Sequence, residues 1–384
     1  MHITTKIMIA SLIVICMGGV ASAESWRVEQ LGIGDFTVIQ DAVDAAADGD
    51  TILIGPGHYQ EMHDYQPHGA GYFIQTLVSW DDHRALTFIG SGPDEVIFGP
   101  DTFEPNHTGP TGITYQGSQL LLVSGISFQN FYTGIYSNGG CRVDQCHFSD
   151  SQGSVAQLSS GLGSITNCEF YRQQVGGLGV GVWGAAEFTI ENCFFEDVDF
   201  YLQGVPDATV TNCEFVGYVG SFTASNGVFS NNQATIGWSA LNIQSGSQVL
   251  VQDCVFSVFS VGTKNLSIYD SGTFVELSGN IFNGGTYAAL KMLASPTVIG
   301  SGNHFFKGDS SYTIVVSHSE TPNLGSIDLR NNYWGTDDPA LVGLWIYDGA
   351  DDPDIALEVQ YEPIADGPLP TSKTSLDGLK AMFR

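Results

Sequence analysis

The sequence predicts an all-β fold, a single-stranded right-handed parallel β-helix of roughly eleven or twelve coils with a short N-terminal capping helix. Three observations carry this prediction. From residue 140 onward a short pattern recurs: Val143-Asp-Gln-Cys146-His-Phe148, Ile165-Thr-Asn-Cys168-Glu-Phe170, Ile190-Glu-Asn-Cys193-Phe-Phe195, Val210-Thr-Asn-Cys213-Glu-Phe215 and Val251-Gln-Asp-Cys254-Val-Phe256. Asn232, Asn280, Asn303 and Asn332 continue the series, and the eight intervals from Cys146 to Asn332 cover 186 residues, a period of about 23 that suits one solenoid unit. Each unit holds short β-branched stretches broken by Gly, Asn and Asp, and the spaced leucines of a leucine-rich repeat are missing. Finally, 47 glycines and 14% charge in a chain that is 43% hydrophobic argue against both disorder and a helical bundle.

Taken in chain order, residues 1–23 read as an export signal: Lys6, then an apolar run from Ile7 to Val20, then Ala21-Ser22-Ala23 in the small-x-small form of a cleavage site. The protein is therefore expected to be secreted or extracytoplasmic, in the periplasm or at the cell surface. No later apolar run reaches the ~20 residues of a membrane helix, so no membrane span is expected. Thr37-Val-Ile-Gln40 has the form of a capping box and is followed by Ile39, Val43 and Ala46 at helical spacing, which predicts a short amphipathic helix over 37–47 covering the open first coil. Gly49-Asp-Thr-Ile-Leu-Ile-Gly-Pro-Gly-His-Tyr59 then reads as first strand and turn. The β-helix domain is expected over 24–366, with a distinct tail at 367–384 that carries Leu376, Leu379, Met382 and Phe383 beside Lys380 and Arg384.

In the repeat, alternation sends Cys and Phe inward together and turns the residue between them to water. The Asn before Cys belongs at a sharp bend that needs left-handed backbone, and stacked on its neighbours it can form an amide ladder. The cysteines are most simply a reduced, buried column, because parallel side-chain vectors disfavour disulfides between coils. Cys141 and Cys146 are the pair best suited to a bridge. No histidine joins the column at a ligand spacing, so no metal is expected there.

Charge narrows the partners. Without the export segment 11 basic residues face 41 acidic ones, a net −30 that excludes general affinity for nucleic acid or anionic lipid and disfavours a polyanionic substrate unless a metal screens the repulsion. A monomer is expected.

The opening helix with Gly-Asp-Thr-Ile-Leu-Ile-Gly-Pro-Gly, the Leu86-Thr-Phe-Ile-Gly-Ser-Gly92 coil, the repeats, the closing Asn331-Asn-Tyr-Trp-Gly335 and the segment from Ile346 to Pro363 resemble secreted bacterial right-handed β-helix proteins of the pectin-lyase-like superfamily. The resemblance spans about residues 26–365 and implies the fold, whereas activity varies within the superfamily among lyases, hydrolases, epimerases and adhesins. Polygalacturonases of that superfamily carry Asn-Thr-Asp, Asp-Asp, Gly-His-Gly and Arg-Ile-Lys on neighbouring coils, and this chain lacks the first, third and fourth. Trp80-Asp-Asp-His83 superficially resembles a pectate lyase motif, but no partner arginine motif follows. The enzyme reading is accordingly incomplete; an enzyme on this scaffold would be a polysaccharide lyase or glycoside hydrolase working along the coils.

Four groups of residues are candidates for chemistry. The outward row His147, Glu169, Phe194 and Glu214 puts two acids about 10 Å apart with an aromatic between them, which reads as solvated surface. Early histidines (His58, His63, His68, His83, His107) lie near Glu61, Asp64, Asp81 and Asp82 without a tight ligand spacing, and read as a polar loop or a metal site. Asp348, Asp351, Asp352 and Asp354 offer the only suggestion of calcium, although an EF-hand pattern is missing and the resemblance favours a structural end-cap; no cofactor is otherwise implied. Finally, if Val180, Val182, Phe200, Leu202, Leu241, Ile243, Leu266, Ile268, Leu290 and Met292 point inward, then Trp183, Tyr201, Gln203, Asn242, Gln244, Tyr269 and Lys291 point outward. Aromatic faces interleaved with amides and hydroxyls suit sugar rings, so the preferred reading is a non-catalytic protein that binds a polysaccharide or cell-surface glycan on this face, with a structural adhesin or spacer as a further alternative.

Overall fold

In the computed structural model, which describes residues 23–67, 71–103, 109–157, 161–171, 178–260, 262–285, 287–317, 325–355 and 357–368, the chain winds into about twelve coils of parallel β-structure with two short helices. The export segment and most of the tail lie outside the described residues, as do His68 and His107. Each coil contributes a strand to three ladders. Strands such as Leu162–Thr166, Glu187–Glu191 and Ala208–Thr211 build a fourteen-stranded edge face running from Ser25–Val28 to Val359–Gln360. Three-residue strands such as Glu169–Tyr171 and Phe194–Glu196 form a short face, and Leu178–Trp183, Asp199–Gln203 and Lys264–Tyr269 belong to a long face. At Glu214–Thr223 and Gln233–Gln244 the short and long strands run on without a break, which joins those two faces into one sheet.

The bend between edge face and short face explains the repeat. The residue before each Cys or inner Asn has φ between 52° and 73° on every coil from Gln145 through Asn167, Asn192, Asn212, Asn231, Asp253, Gly279 and Gly302 to Asn331. Asn, Asp and Gly tolerate that left-handed conformation, and the single Gln accepts it under the constraint of its neighbours. The residue that follows turns inward and satisfies backbone groups left open by the corner. The Asn232 amide donates to the Val210 carbonyl at 2.9 Å and its oxygen accepts from the Cys213 N–H at 2.8 Å. Asn280, Asn303 and Asn332 repeat both bonds one coil at a time. Cysteine performs the same donation with sulfur: the Cys168, Cys193 and Cys213 thiols reach the carbonyl two residues back at 3.2 Å and that of the preceding coil at 3.6 to 3.8 Å.

The expected amide ladder therefore has to be relocated. Among the exposed asparagines before Cys, one contact of this kind forms, Asn192 to Asn167 at 3.4 Å. The continuous ladder is the inner one, Asn280 to Asn303 at 2.9 Å and Asn303 to Asn332 at 3.0 Å, because a fully buried amide has no water to turn to.

All six described cysteines are buried thiols outside any disulfide, as a reduced column requires, and Cys141 and Cys146, the pair best suited to a bridge, do not form one. Cys146 is committed to the corner, where its thiol donates to the Asp144 carbonyl at 3.4 Å. Burial pushes the Cys141 and Cys254 thiols up to about 12. One position further in, the Phe column stacks with centroids 4.7 to 5.1 Å apart through Phe128, Phe148, Phe170, Phe195 and Phe215, and again through Phe256, Phe282 and Phe305. Ala234 interrupts it, and Phe229 from the edge face fills the gap, 5.9 Å from Phe215 and 6.1 Å from Phe256.

The first helix spans Ile39–Ala45 and buries Ile39, Ala42 and Val43. Its N-cap is Val38, with no side-chain capping bond, so the expected Thr37–Gln40 capping box does not form. Gln40 is used elsewhere: its amide donates to the Ser79 carbonyl at 3.0 Å and its oxygen accepts from the Ser79 N–H at 2.9 Å. Ser79 sits on the first strand of the long face, so the glutamine stands where a preceding coil would have paired, and covers an open sheet edge. A second helix, Pro339–Gly343, was not anticipated; Asp338 caps it by accepting from Ala340 and Leu341, with proline at the first helical position.

Two outcomes follow. Asn303→Ala removes the acceptor of the Asn280 N–H and amide and the donor to Leu277, leaving buried groups unpaired; unfolding measured in urea should show a loss of about 3 kcal/mol. An aromatic disulfide reagent should find the six thiols unreactive in the native protein and reactive after unfolding, whereas a bridged Cys141–Cys146 pair would leave two silent in the unfolded, unreduced chain.

Candidate functional site

The long face is wound as alternation requires. Val180, Val182, Phe200, Leu202, Leu241, Ile243, Leu266, Ile268, Leu290 and Met292 are all fully buried. The residues between them rise in two outward columns. Tyr201 lies opposite Ser221, followed by Asn242, Ser267 and Lys291; Trp183 lies opposite Gln203, followed by Thr223 and Gln244. Tyr269 is one coil further, opposite Leu293.

The seven residues thus share a face, but only three of them touch. Trp183 and Tyr201 place their ring centroids 5.8 Å apart at 50°, and the Tyr201 hydroxyl donates to the Gln203 side-chain oxygen at 3.0 Å. Gly181 makes this possible: a Cβ there would stand 2.4 Å from the Trp183 ring, which folds back across the bare backbone. Asn242 donates its amide to the Ala240 carbonyl at 3.1 Å, and Gln244 donates to the Thr223 hydroxyl at 3.1 Å, so both are partly engaged within the sheet. Lys291 is about four coils from Tyr201, roughly 19 Å at the strand spacing, with its ammonium 5.5 Å from the centre of the Tyr287 ring.

Two of the most exposed aromatic rings escaped the sequence reading. Trp238 is 65% exposed and Phe259 61% exposed, on consecutive coils at the corner leading into the long face. The pairing of Gly217 with Ile236 and of Tyr218 with Ser239 leaves Gly237 and Trp238 as two extra residues, a bulge that throws the indole outward. Phe259 packs against Gly237, where a Cβ would lie 2.4 Å from its ring. The signal in the sequence is a conflict of parity: counted from Ile236, Trp238 points in, and counted back from Leu241 it points out.

On the short face the row His147, Glu169, Phe194 and Glu214 is in register as expected. His147 lies 3.4 Å from the Glu169 carboxylate, and the Tyr171 hydroxyl donates to the same carboxylate, which together with burial pushes that phenol up to about 12. Of the described early histidines, His58 is 2.8 Å from the Gly99 carbonyl and His63 is 2.8 Å from the Ser79 hydroxyl, each engaged in its own loop contact. Trp80 is buried and stacks on Tyr115 at 4.6 Å, while Asp82 pairs with Arg84. In the closing segment Asp348 accepts from the Val359 and Ala350 N–H groups, and Asp352 from Asp354 N–H and the Tyr347 hydroxyl, the bonds of an end-cap. Among the described residues no three His, Cys, Asp or Glu side chains are placed to hold a metal ion.

Comparison with known proteins fits this geometry. The family model described as right handed beta helix region matches residues 111–218 and, overlapping, 178–333, more than half of the chain. The chain belongs to the right-handed β-helix family. No curated protein sequence matches it. Among solved structures, this β-helix protein is similar to the Agl-KA catalytic domain, with 12% identity and a TM-score of 0.51 over 87% of this chain; it spans 66% of that one's length. It is also similar to the AlgE4 A-module, a mannuronan C-5 epimerase of Azotobacter vinelandii (14% identity, 88% of this chain and 93% of that chain, TM-score 0.44), and to the pectate lyase Pel9A (12% identity, 93% and 83%, TM-score 0.32). At such identities the likeness is one of fold. No helix among the described residues is long and apolar enough to cross a membrane.

Asp199, two residues before Tyr201 on the same strand, has its carboxyl pushed up to about 6 by burial. A folded-state value above the ordinary 3.8 means that the ionised carboxylate subtracts stability above about pH 6, a penalty that fades as the pH falls toward 4. Asp199→Asn should therefore raise the melting temperature by a few degrees at about pH 7.5, with the gain shrinking through pH 6 and gone near pH 4 in thermal scans.

Proposed function

We propose that this β-helix protein is an extracytoplasmic, monomeric carbohydrate-binding protein that holds a glycan against its long face. The observation that carries the reading is the pair of exposed rings, Trp238 and Phe259, beside a face that also presents Trp183, Tyr201 and Gln203. Apolar rings this exposed are unfavourable unless something covers them, and the C–H faces of sugar rings do so while their hydroxyls reach neighbouring amides. Asn242, Gln244, Tyr269 and Lys291 extend the polar part of the surface over the following coils. A net charge of −29 disfavours nucleic acid as the occupant.

One observation favours a second reading, a glycoside hydrolase or polysaccharide lyase acting on the same face. A carboxyl that stays protonated to about pH 6 beside the Trp183–Tyr201 pair has the protonation state that a general acid needs. A polysaccharide panel separates the two. For the binding protein, retention on at least one glycan should fall about ten-fold or more in Trp183→Ala and Trp238→Ala, with no release of reducing or unsaturated ends. Release of such ends that is abolished by Asp199→Asn would establish the enzyme instead, and unchanged retention in both aromatic variants would remove the face from consideration.

A further inference from the structure

The first strand of the edge face is fastened to one carboxylate. Asp50, just before the strand Thr51–Ile54, is only 2% exposed and collects three N–H donors. The Glu24 backbone nitrogen donates to its Oδ1 at 2.7 Å, while the Ala47 backbone nitrogen at 2.7 Å and the Trp26 indole at 2.9 Å donate to its Oδ2. Burial by itself would raise this carboxyl, but the Ala47, Glu24 and Trp26 donors, with the charge of Arg84, outweigh it and hold the group below its ordinary range. Among the described residues no Lys, Arg or His nitrogen lies within 4.0 Å of it. The charged groups nearby are committed elsewhere: Arg84 donates to the Val43 and Ala46 carbonyls at 2.7 and 2.6 Å and pairs with Asp82, and Asp48 accepts from the Ala85 N–H. Glu24 is held on its other side as well, its carbonyl accepting from the Thr51 N–H at 2.9 Å, whereas Ala23 before it is exposed.

The nitrogen bonded to Oδ1 belongs to the residue that follows the small-x-small pattern Ala21-Ser22-Ala23. Two independent observations, a cleavage pattern in the sequence and a carboxylate screened from water in the fold, thus meet at one atom. In the unprocessed chain that atom is an amide and offers a single N–H without charge. We infer that Asp50 is the receptor for the α-ammonium group of Glu24, created when the Ala23–Glu24 bond is hydrolysed, so that removal of the export segment completes an ion pair that locks the first strand onto the stack. In that step water breaks the C–N bond: its hydroxyl joins the Ala23 carbonyl carbon and its hydrogen the Glu24 nitrogen, and transfer of the new acid's proton leaves Ala23 a carboxylate and Glu24 an ammonium. The strand need not move, because 2.7 Å is already the length that ammonium–carboxylate pairs adopt. Trp26 and Ala47 hold the carboxylate in place, and Trp26 packs on Phe36 with centroids 5.7 Å apart, so one pair ties together the first strand, the end of the first helix and the loop between them. A loose first strand would leave Thr51–Ile54 as an open sheet edge, and the pair guards against this in the exported chain alone.

The full-length chain is exported from a bacterial host and its terminus read by intact mass and sequential degradation, which should begin at Glu24; a processed chain that starts elsewhere overturns the inference. Two chains released from a removable fusion partner, one starting at Glu24 and one retaining Ala23, then differ only in where the ammonium stands. The Glu24 form should melt at least about 3 °C higher near neutral pH. An aldehyde selective for α-amines should modify the Glu24 terminus at least about ten-fold more slowly in the native protein than in urea, because pairing keeps the amine protonated, and should modify the Ala23 terminus at about the same rate in both. Asp50→Asn should remove both differences, and Glu24→Ala, which keeps the terminal ammonium, should retain them. Equal melting of the two chains, an unprotected Glu24 amine, or differences that survive Asp50→Asn overturn the ion pair. Circular dichroism shows whether Asp50→Asn keeps its β-structure; if it does not, melting and amine protection in the unsubstituted chains decide the matter by themselves.

Discussion

Stacking one coil upon the next leaves a problem at every corner, where the chain leaves the edge face in left-handed conformation and its N–H and C=O groups turn toward the interior. A buried group without a partner costs about 1 to 3 kcal/mol, and the problem returns on every coil. The side chain after the bend solves it by reaching to the preceding coil and accepting from it, as Asn232, Asn280, Asn303 and Asn332 do. Cysteine gives a weaker version of the same bond in a smaller volume on the coils that carry Phe148, Phe170, Phe195 and Phe215. The thiols are reduced because they are occupied and parallel, and the same side-by-side alignment keeps every outer column in line.

That alignment is what converts a repeating sequence into a surface. Residues 20 to 30 positions apart in the chain come to rest one strand spacing apart, so Tyr201, Ser221, Asn242, Ser267 and Lys291 form one column without being neighbours in sequence. A flat, extended surface of this kind fits an extended polymer better than a small molecule.

The two ends are closed by different chemistry. At the start, Gln40 imitates a strand and pairs both backbone groups of Ser79. At the finish, Asp348 takes up the N–H groups of Ala350 and Val359, and Trp334 stacks on Phe305 at 4.7 Å in place of a further phenylalanine. Acidic residues that resemble ligands in the sequence are thus engaged by the backbone, a common use of aspartate where sheets end.

The repeat determined by itself the fold class, the inward Cys and Phe columns, the left-handed position before them and the outward orientation of Trp183, Tyr201, Gln203, Asn242, Gln244, Tyr269 and Lys291, since a period of two along a strand assigns a side to every residue. The second helix was not read from the sequence, because its capping signal, Asp338-Pro339, reads equally well as a loop. Only the tertiary structure decided which outward residues meet, where the buried amide ladder runs, that Gln40 pairs with the Ser79 backbone instead of closing a capping box, and that Trp238 and Phe259 stand in solvent. Alternation is a local rule, valid between corners and lost at each bulge; contact across coils depends on how many residues every corner absorbs, and that count is settled only when the whole stack is packed.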